Sequence, residues 1–136
     1  MSKTECYGMV RVGLVLGVLG MTVVTAYAGN TRFERSLRAL APSARLEQIC
    51  DYTAMAKIRS AGDYRPDRAV GYAISEGKVT DNTLVADGAA FRSRKKWYRL
   101  TYTCKTTPDR MKVLSFDFKI GSEIPEEKWS AYGLWR

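Results

Sequence analysis

Between Lys96 and Gly121 the chain alternates. Tyr98, Leu100, Tyr102 and Cys104 fall at every second position, with Trp97, Arg99, Thr101 and Thr103 between them. A period of two puts each set on its own face of a β-strand. Leu114, Phe116, Phe118 and Ile120 repeat the pattern against Val113, Ser115, Asp117 and Lys119. Thr107-Pro108-Asp109 separates the runs and has turn chemistry, since proline presets φ and aspartate bonds its own backbone. A hairpin is predicted. Apolar residues must oppose apolar residues in it, because a slip of one flips every side chain to the other face. Setting Leu100 opposite Leu114 and Tyr98 opposite Phe116 meets that condition. The outer face then pairs Trp97 with Asp117 and Arg99 with Ser115.

Upstream, Arg68 to Ser75 alternates weakly, with Val70, Tyr72 and Ile74 on one face, and predicts a first strand. Glu76-Gly77 and Asp81-Asn82 read as turns, and Thr83 to Ala86 as a second strand. Asp87-Gly88 fits either a tight turn or a bulge. Ala89 to Ser93 pairs with the run from Trp97 across a loop of Ser93 to Lys96, which sets Phe91 opposite Tyr98. That loop has neither glycine nor asparagine, which argues against a two-residue turn of left-handed residues.

Nearer the start the period is helical. Thr31-x-x-Glu34 is a capping box, opening a helix with Phe33, Leu37, Leu40 and Ala41 on one side. Pro42 ends it and suits the first turn of a second helix, Ser43 to Ala61, which Gly62 stops. Leu46, Ile49, Cys50 and Thr53 form the buried stripe of that helix. At the other end Pro125, Glu126 and Glu127 open a short helix with Trp129 and Tyr132 on one side and Gly133-Leu134 as its stop. The pattern predicts an α+β fold, with N-terminal helices and a short C-terminal helix packed on one face of a small antiparallel β-sheet.

The first residues follow neither period. Lys3 and Arg11 precede an uncharged apolar run, Val12 to Val24, too short to span a bilayer comfortably. Ala26-Tyr27-Ala28 then supplies the small residues that signal peptidase reads. A cleaved signal peptide over 1–28 and a single small domain over 29–136 are expected, with no transmembrane segment left and a periplasmic or secreted destination. Cleavage removes Cys6 and leaves Cys50 and Cys104. Two cysteines in an exported chain are expected to form a disulfide, here from the second helix to the sheet. A redox-active pair is the sharper alternative, but the C-x-x-C spacing is missing.

Candidate chemistry is sparse. The chain has no histidine, which removes Ser-His-Asp and Cys-His catalysis and the usual zinc ligand sets. It has no glycine-rich phosphate loop either. No cofactor or metal is expected. Glu47 and Asp51, four apart on the second helix, could serve as acid and base in a cleft between helix and sheet. A solvated helix edge is the plainer reading of them.

Net charge is +8, which favours acidic partners. Arg92, Arg94, Lys95, Lys96 and Arg99 crowd one hairpin end, with Trp97 among them on the outward side. Cations around an exposed aromatic suit an anionic ligand. In an exported protein that means an acidic envelope glycan, an anionic lipid or a protein, with no nucleic acid expected. A turn kept soluble by charge is the competing reading.

Several short stretches together carry a resemblance over about Phe33 to Leu134. They are Arg45-Leu46-Glu47-Gln48 with Cys50-Asp51, Ala89-Ala90-Phe91-Arg92-Ser93, Lys96-Trp97-Tyr98-Arg99-Leu100 and Thr103-Cys104-Lys105. Met111 to Phe116, Ile120-Gly121, Ile124-Pro125, Trp129 and Tyr132 complete the set. On these residues the chain resembles a bacterial family, domain of unknown function 930. The resemblance implies a small exported domain of unknown role and assigns no catalytic or binding residue. A non-catalytic envelope module with a basic patch is the expected function, and a small envelope hydrolase using carboxylates is the alternative.

Overall fold

The computed structural model describes residues 31–136. The segment 1–28 read as a signal peptide, with Cys6, and the capping side chain of Thr31 lie outside the described residues. Helices α1 (Thr31–Ala39) and α2 (Pro42–Ala61) come first, followed by strands β1 (Pro66–Val70), β2 (Lys78–Thr80), β3 (Thr83–Ser93), β4 (Lys96–Thr106) and β5 (Val113–Glu123). Two 3-10 turns, Glu126–Lys128 and Ser130–Tyr132, close the chain. Pro42 enters α2 in its first turn, where its missing N–H costs nothing, and Gly62 ends the helix at φ 104°. All five strands form one antiparallel sheet in the order β1-β3-β4-β5, with β2 beside the far half of β3.

Helix α2 lies on one face of this sheet. Leu46, Ile49, Cys50, Ala54 and Ile58 pack there with Leu84, Ala89, Phe91, Leu100 and Cys104. Cys50 and Cys104 are bonded, with Cα atoms 5.9 Å apart. The expected α+β fold, with its disulfide from helix to sheet, is therefore present. Arg45 fastens the helices at the same end, donating to the carbonyls of Leu37, Arg38, Leu40 and Asp109. The Leu37 carbonyl also accepts the Leu40 N–H, and Arg45 satisfies those of Arg38 and Leu40 where the helix has ended.

The other face has a core of its own, which changes the expected layering. Ala90, Trp97, Ile124, Trp129 and Leu134 pack together there, so the C-terminal segment covers the face opposite α2 rather than sharing it. Alternation had placed Trp97 outward from α2 correctly, but it is 0 % exposed. The stop at Gly133-Leu134 is as expected. Gly133 sits at φ 65°, its N–H bonds the Ser130 carbonyl, and Leu134 bonds the Trp129 carbonyl at 2.8 Å.

Three details of the sheet differ from the expected pattern. The β4–β5 register pairs Leu100 with Ile120, Tyr102 with Phe118 and Cys104 with Phe116, not Leu100 with Leu114. The slip is an even number of residues, so both registers match apolar to apolar, and the turn decides between them. The Thr107 N–H donates to the Lys112 carbonyl and the Lys112 N–H returns a bond to Thr107 Oγ1, while Asp109 accepts from Thr107 Oγ1 and the Met111 N–H. A bulge follows, pairing Thr106 with Val113 and Lys105 with Ser115. Leu114 is the extra residue and is 60 % exposed, while Val113 turns inward in its place.

Second, β3 runs unbroken through Asp87-Gly88 as a bulge opposite Thr101. Glycine is required there, since a Cβ on Gly88 would fall 2.4 Å from the Ser75 backbone nitrogen. Third, β1 stops at Val70, and Tyr72 and Ile74 lie outside it. The Ile74 N–H bonds the Gly88 carbonyl at 2.7 Å, so the bulge captures this segment instead of a longer ladder.

Candidate functional site

The hairpin between β3 and β4 closes in two residues. Ser93 pairs with Lys96, and Arg94 and Lys95 both adopt positive φ, 50° and 66°. This is the primed geometry that matches strand twist, reached without the glycine or asparagine that usually permits it. The expected four-residue loop is thus corrected: residues that rarely hold positive φ hold it at the tip. Both side chains project into solvent, and neither has an acidic partner among the described residues.

The flanking cations are positioned differently. Arg92 grips Asp67 on β1 through two parallel bonds, Nε to Oδ1 at 3.0 Å and Nη2 to Oδ2 at 2.7 Å. Those bonds hold the Asp67 carboxyl below its ordinary range. The same guanidinium lies 5.8 Å from the centre of the Trp97 ring, opposite it in the ladder. Lys96 pairs with Glu123 at 3.0 Å, and the carboxylate raises the lysine pKa. Arg99 shares the face of Trp97 but sits two residues further from the turn. It borders a separate hollow of about 210 Å³ with Asp87 and Lys119.

Beside the turn is a cleft of about 580 Å³ lined by Asp67, Arg92, Lys95, Glu126, Trp129 and Arg136. The Trp129 ring is fixed by its indole N–H, which donates to the Ile124 carbonyl at 2.8 Å. Arg136 bonds Glu126 across the rim. The sequence pattern brought Arg92, Arg94, Lys95 and Lys96 to one end, and the structure agrees. It did not identify Asp67, Trp129 or Arg136, which arrive from β1 and the C-terminal segment. Trp97 is not the exposed aromatic that was expected; Trp129 borders the cleft instead, and Trp97 lies under the C-terminal segment.

The carboxylate pair on α2 has a different character. Asp51 is 6 % exposed, not solvated. Its Oδ1 accepts from the Tyr102 hydroxyl at 2.8 Å and its Oδ2 from the Gly71 N–H at 3.3 Å. Gly71 allows this approach, because a Cβ there would fall 2.8 Å from the Tyr102 hydroxyl. Burial first, with the Glu47 charge behind it, raises the Asp51 pKa from 3.8 to about 6 against the lowering effect of its hydrogen bonds. Burial raises Glu47 as well. Burial and the Asp51 charge also raise the Tyr102 phenol. A signal for this bridge exists in the sequence: Asp51 follows Cys50, and Tyr102 shares the inner face with Cys104. The disulfide brings both pairs together.

The folded protein holds the Asp51 proton more tightly than the unfolded chain does. Its contribution therefore favours folding below about pH 4 and is lost as pH rises through 6. A rise to about 6 corresponds to a change on the order of 3 kcal/mol across that window. Urea unfolding of wild type and Asp51→Asn between pH 4 and 7 checks this. The wild type is expected to lose stability over that range relative to the variant. Parallel profiles would show that Asp51 titrates normally.

Among the described residues there is no cluster of three or more His, Cys, Asp or Glu placed to hold a metal, and no helix long and apolar enough to cross a membrane. Residues 37–134 match the family described as Domain of Unknown Function (DUF930), and the chain belongs to that family. No curated protein and no solved structure matches the chain.

Proposed function

We propose that this member of the DUF930 family is an exported cell-envelope module that binds an anionic glycan or lipid head group, without catalysis, at the β3–β4 hairpin end. One observation carries the reading: among the described residues Arg94 and Lys95 stand without acidic partners at the tip, beside the cleft that Arg92, Lys95, Arg136 and Trp129 border. The ladder beneath a two-residue turn fixes its backbone, so the ordering left to binding is that of the side chains. Export is supported by the apolar run Val12 to Val24 and by a disulfide, a bond that persists in oxidising compartments. A hydrolase built on Glu47 and Asp51 has less support. Both Asp51 oxygens are already bonded, and the hollow of about 230 Å³ that Asp51 borders is not lined by Glu47.

Replacing Arg94, Lys95 and Lys96 by serine tests the reading. Each cation near an anionic surface contributes about 1 kcal/mol, so the triple variant is expected to bind on the order of 100-fold more weakly. Its melting temperature should be nearly unchanged, because the one ion pair lost, Lys96 to Glu123, is exposed. Sedimentation with anionic and neutral vesicles or glycans, at two salt concentrations, gives the answer. Equal retention of both proteins, or retention indifferent to salt, would mean the cations only solvate a turn.

A further inference from the structure

Strand β5 is the outermost strand on its side of the sheet and bonds to β4 alone among the described residues. A long edge strand presents a row of open backbone donors and acceptors, which proteins usually cover, shorten or bend. Register shifts bend both ends of β5, one at Leu114 and one between Ile120 and Glu123. Between them Ser115 to Ile120 stays in regular ladder geometry. Phe116, Phe118 and Ile120 are half-buried on the α2 side of that stretch, and Ser115, Asp117 and Lys119 are exposed on the other.

The order of these side chains is self-complementary. Laid antiparallel against a second copy and centred on Phe118, Asp117 falls opposite Lys119 of that copy, and Lys119 opposite its Asp117. On the other face Phe116 meets Ile120, and Phe118 meets its own counterpart. Neighbouring centres lose this match. Centring on Asp117 or on Lys119 sets like charges directly opposite, which destabilises a ladder. Centring on Ile120 opposes Asp117 to Glu123. Half-step centres put apolar side chains opposite charged ones.

We propose that β5 is a homodimerisation edge, pairing with β5 of a second copy about a two-fold axis at Phe118 to continue the sheet across both chains. The contact is isologous, as a two-fold requires, and it places α2 of both copies on the same face. A single strand-to-strand contact is smaller than a standard interface, so the dimer is weak and concentration-dependent. Two chains of net charge +8 repel at long range. Salt screens that repulsion beyond about 8 Å at physiological strength, while the Asp117–Lys119 pairs act at contact.

Sedimentation equilibrium from about 10 μM to about 1 mM spans a contact of this size. Asp117→Lys and Lys119→Asp, both at exposed positions, each turn two attractive cross-pairs into repulsive ones. Each is expected to weaken the dimer on the order of tenfold. An equimolar mixture of the two variants restores every attractive pair and is expected to form a dimer with one of each, as is the double variant with itself. A protein monomeric throughout the concentration range overturns the proposal. So does self-association that ignores the charge changes, or a mixture no better than either variant alone.

Discussion

Replacing Cys50 and Cys104 together by alanine is expected to lower the unfolding free energy by about 4 kcal/mol. The bond closes a loop with a sequence separation of 54, and the chain-entropy argument gives about that much for constraining the unfolded state. Small domains have about 5–15 kcal/mol in total, so the variant should sit near the edge of folding at physiological temperature. Both sulfurs lie in the core between α2 and β4, and the alanines leave a small void in addition. What then holds the helix on the sheet is the apolar packing of Leu46, Ile49 and Ile58, and the Asp51–Tyr102 bond directly beside the lost bridge. Urea unfolding of the variant beside the oxidised wild type checks the value. A loss under about 1 kcal/mol, well below the usual cost of a native disulfide, would show that the packing alone fixes this contact.

The parts of the fold that follow from side-chain period were legible in the sequence, and those that depend on distant neighbours were not. Alternation set Phe91 opposite Tyr98 and turned Cys104 towards Cys50, because face is decided by parity. Parity cannot choose between registers that differ by an even slip, so the β4–β5 pairing rested on the hydrogen bonds of Thr107 and Asp109, which involve Met111 and Lys112 as well. Composition argued against a two-residue turn at Arg94-Lys95, yet continuous pairing of β3 with β4 up to Ser93 and Lys96 leaves the chain no other way to close. Four of the five cations named from sequence flank or form that turn. Arg99 does not join them, because alternate residues on one face lie about 7 Å apart along a strand. The burial of Asp51 was hidden because a helical period shows which residues share a face, not which partner reaches across to them.

The same limit applies to Trp97, which alternation directs away from α2 and which the C-terminal segment then covers. Truncating Trp97 to alanine is expected to cost about 3–5 kcal/mol, the usual range for a buried large aromatic. Its ring packs with Ala90, Ile124, Trp129 and Leu134, and lies 5.5 Å from the ring of Trp135. Its indole N–H donates to the Trp135 carbonyl at 2.8 Å. Deleting residues 125–136 removes most of those partners, exposes Trp97 and should lower the melting temperature by roughly 15 °C or more, since about 1 kcal/mol corresponds to 4–8 °C in a domain of this size. The two changes act on one cluster and should not add. In the truncated protein Trp97→Ala is expected to cost less than half what it costs in the full chain, because its main contacts have already gone. Urea unfolding of all four proteins closes the cycle. Equal costs in both backgrounds would mean that Trp97 is held by the strands alone, and an unchanged melting temperature after deletion would mean that the C-terminal segment is only loosely laid on the sheet.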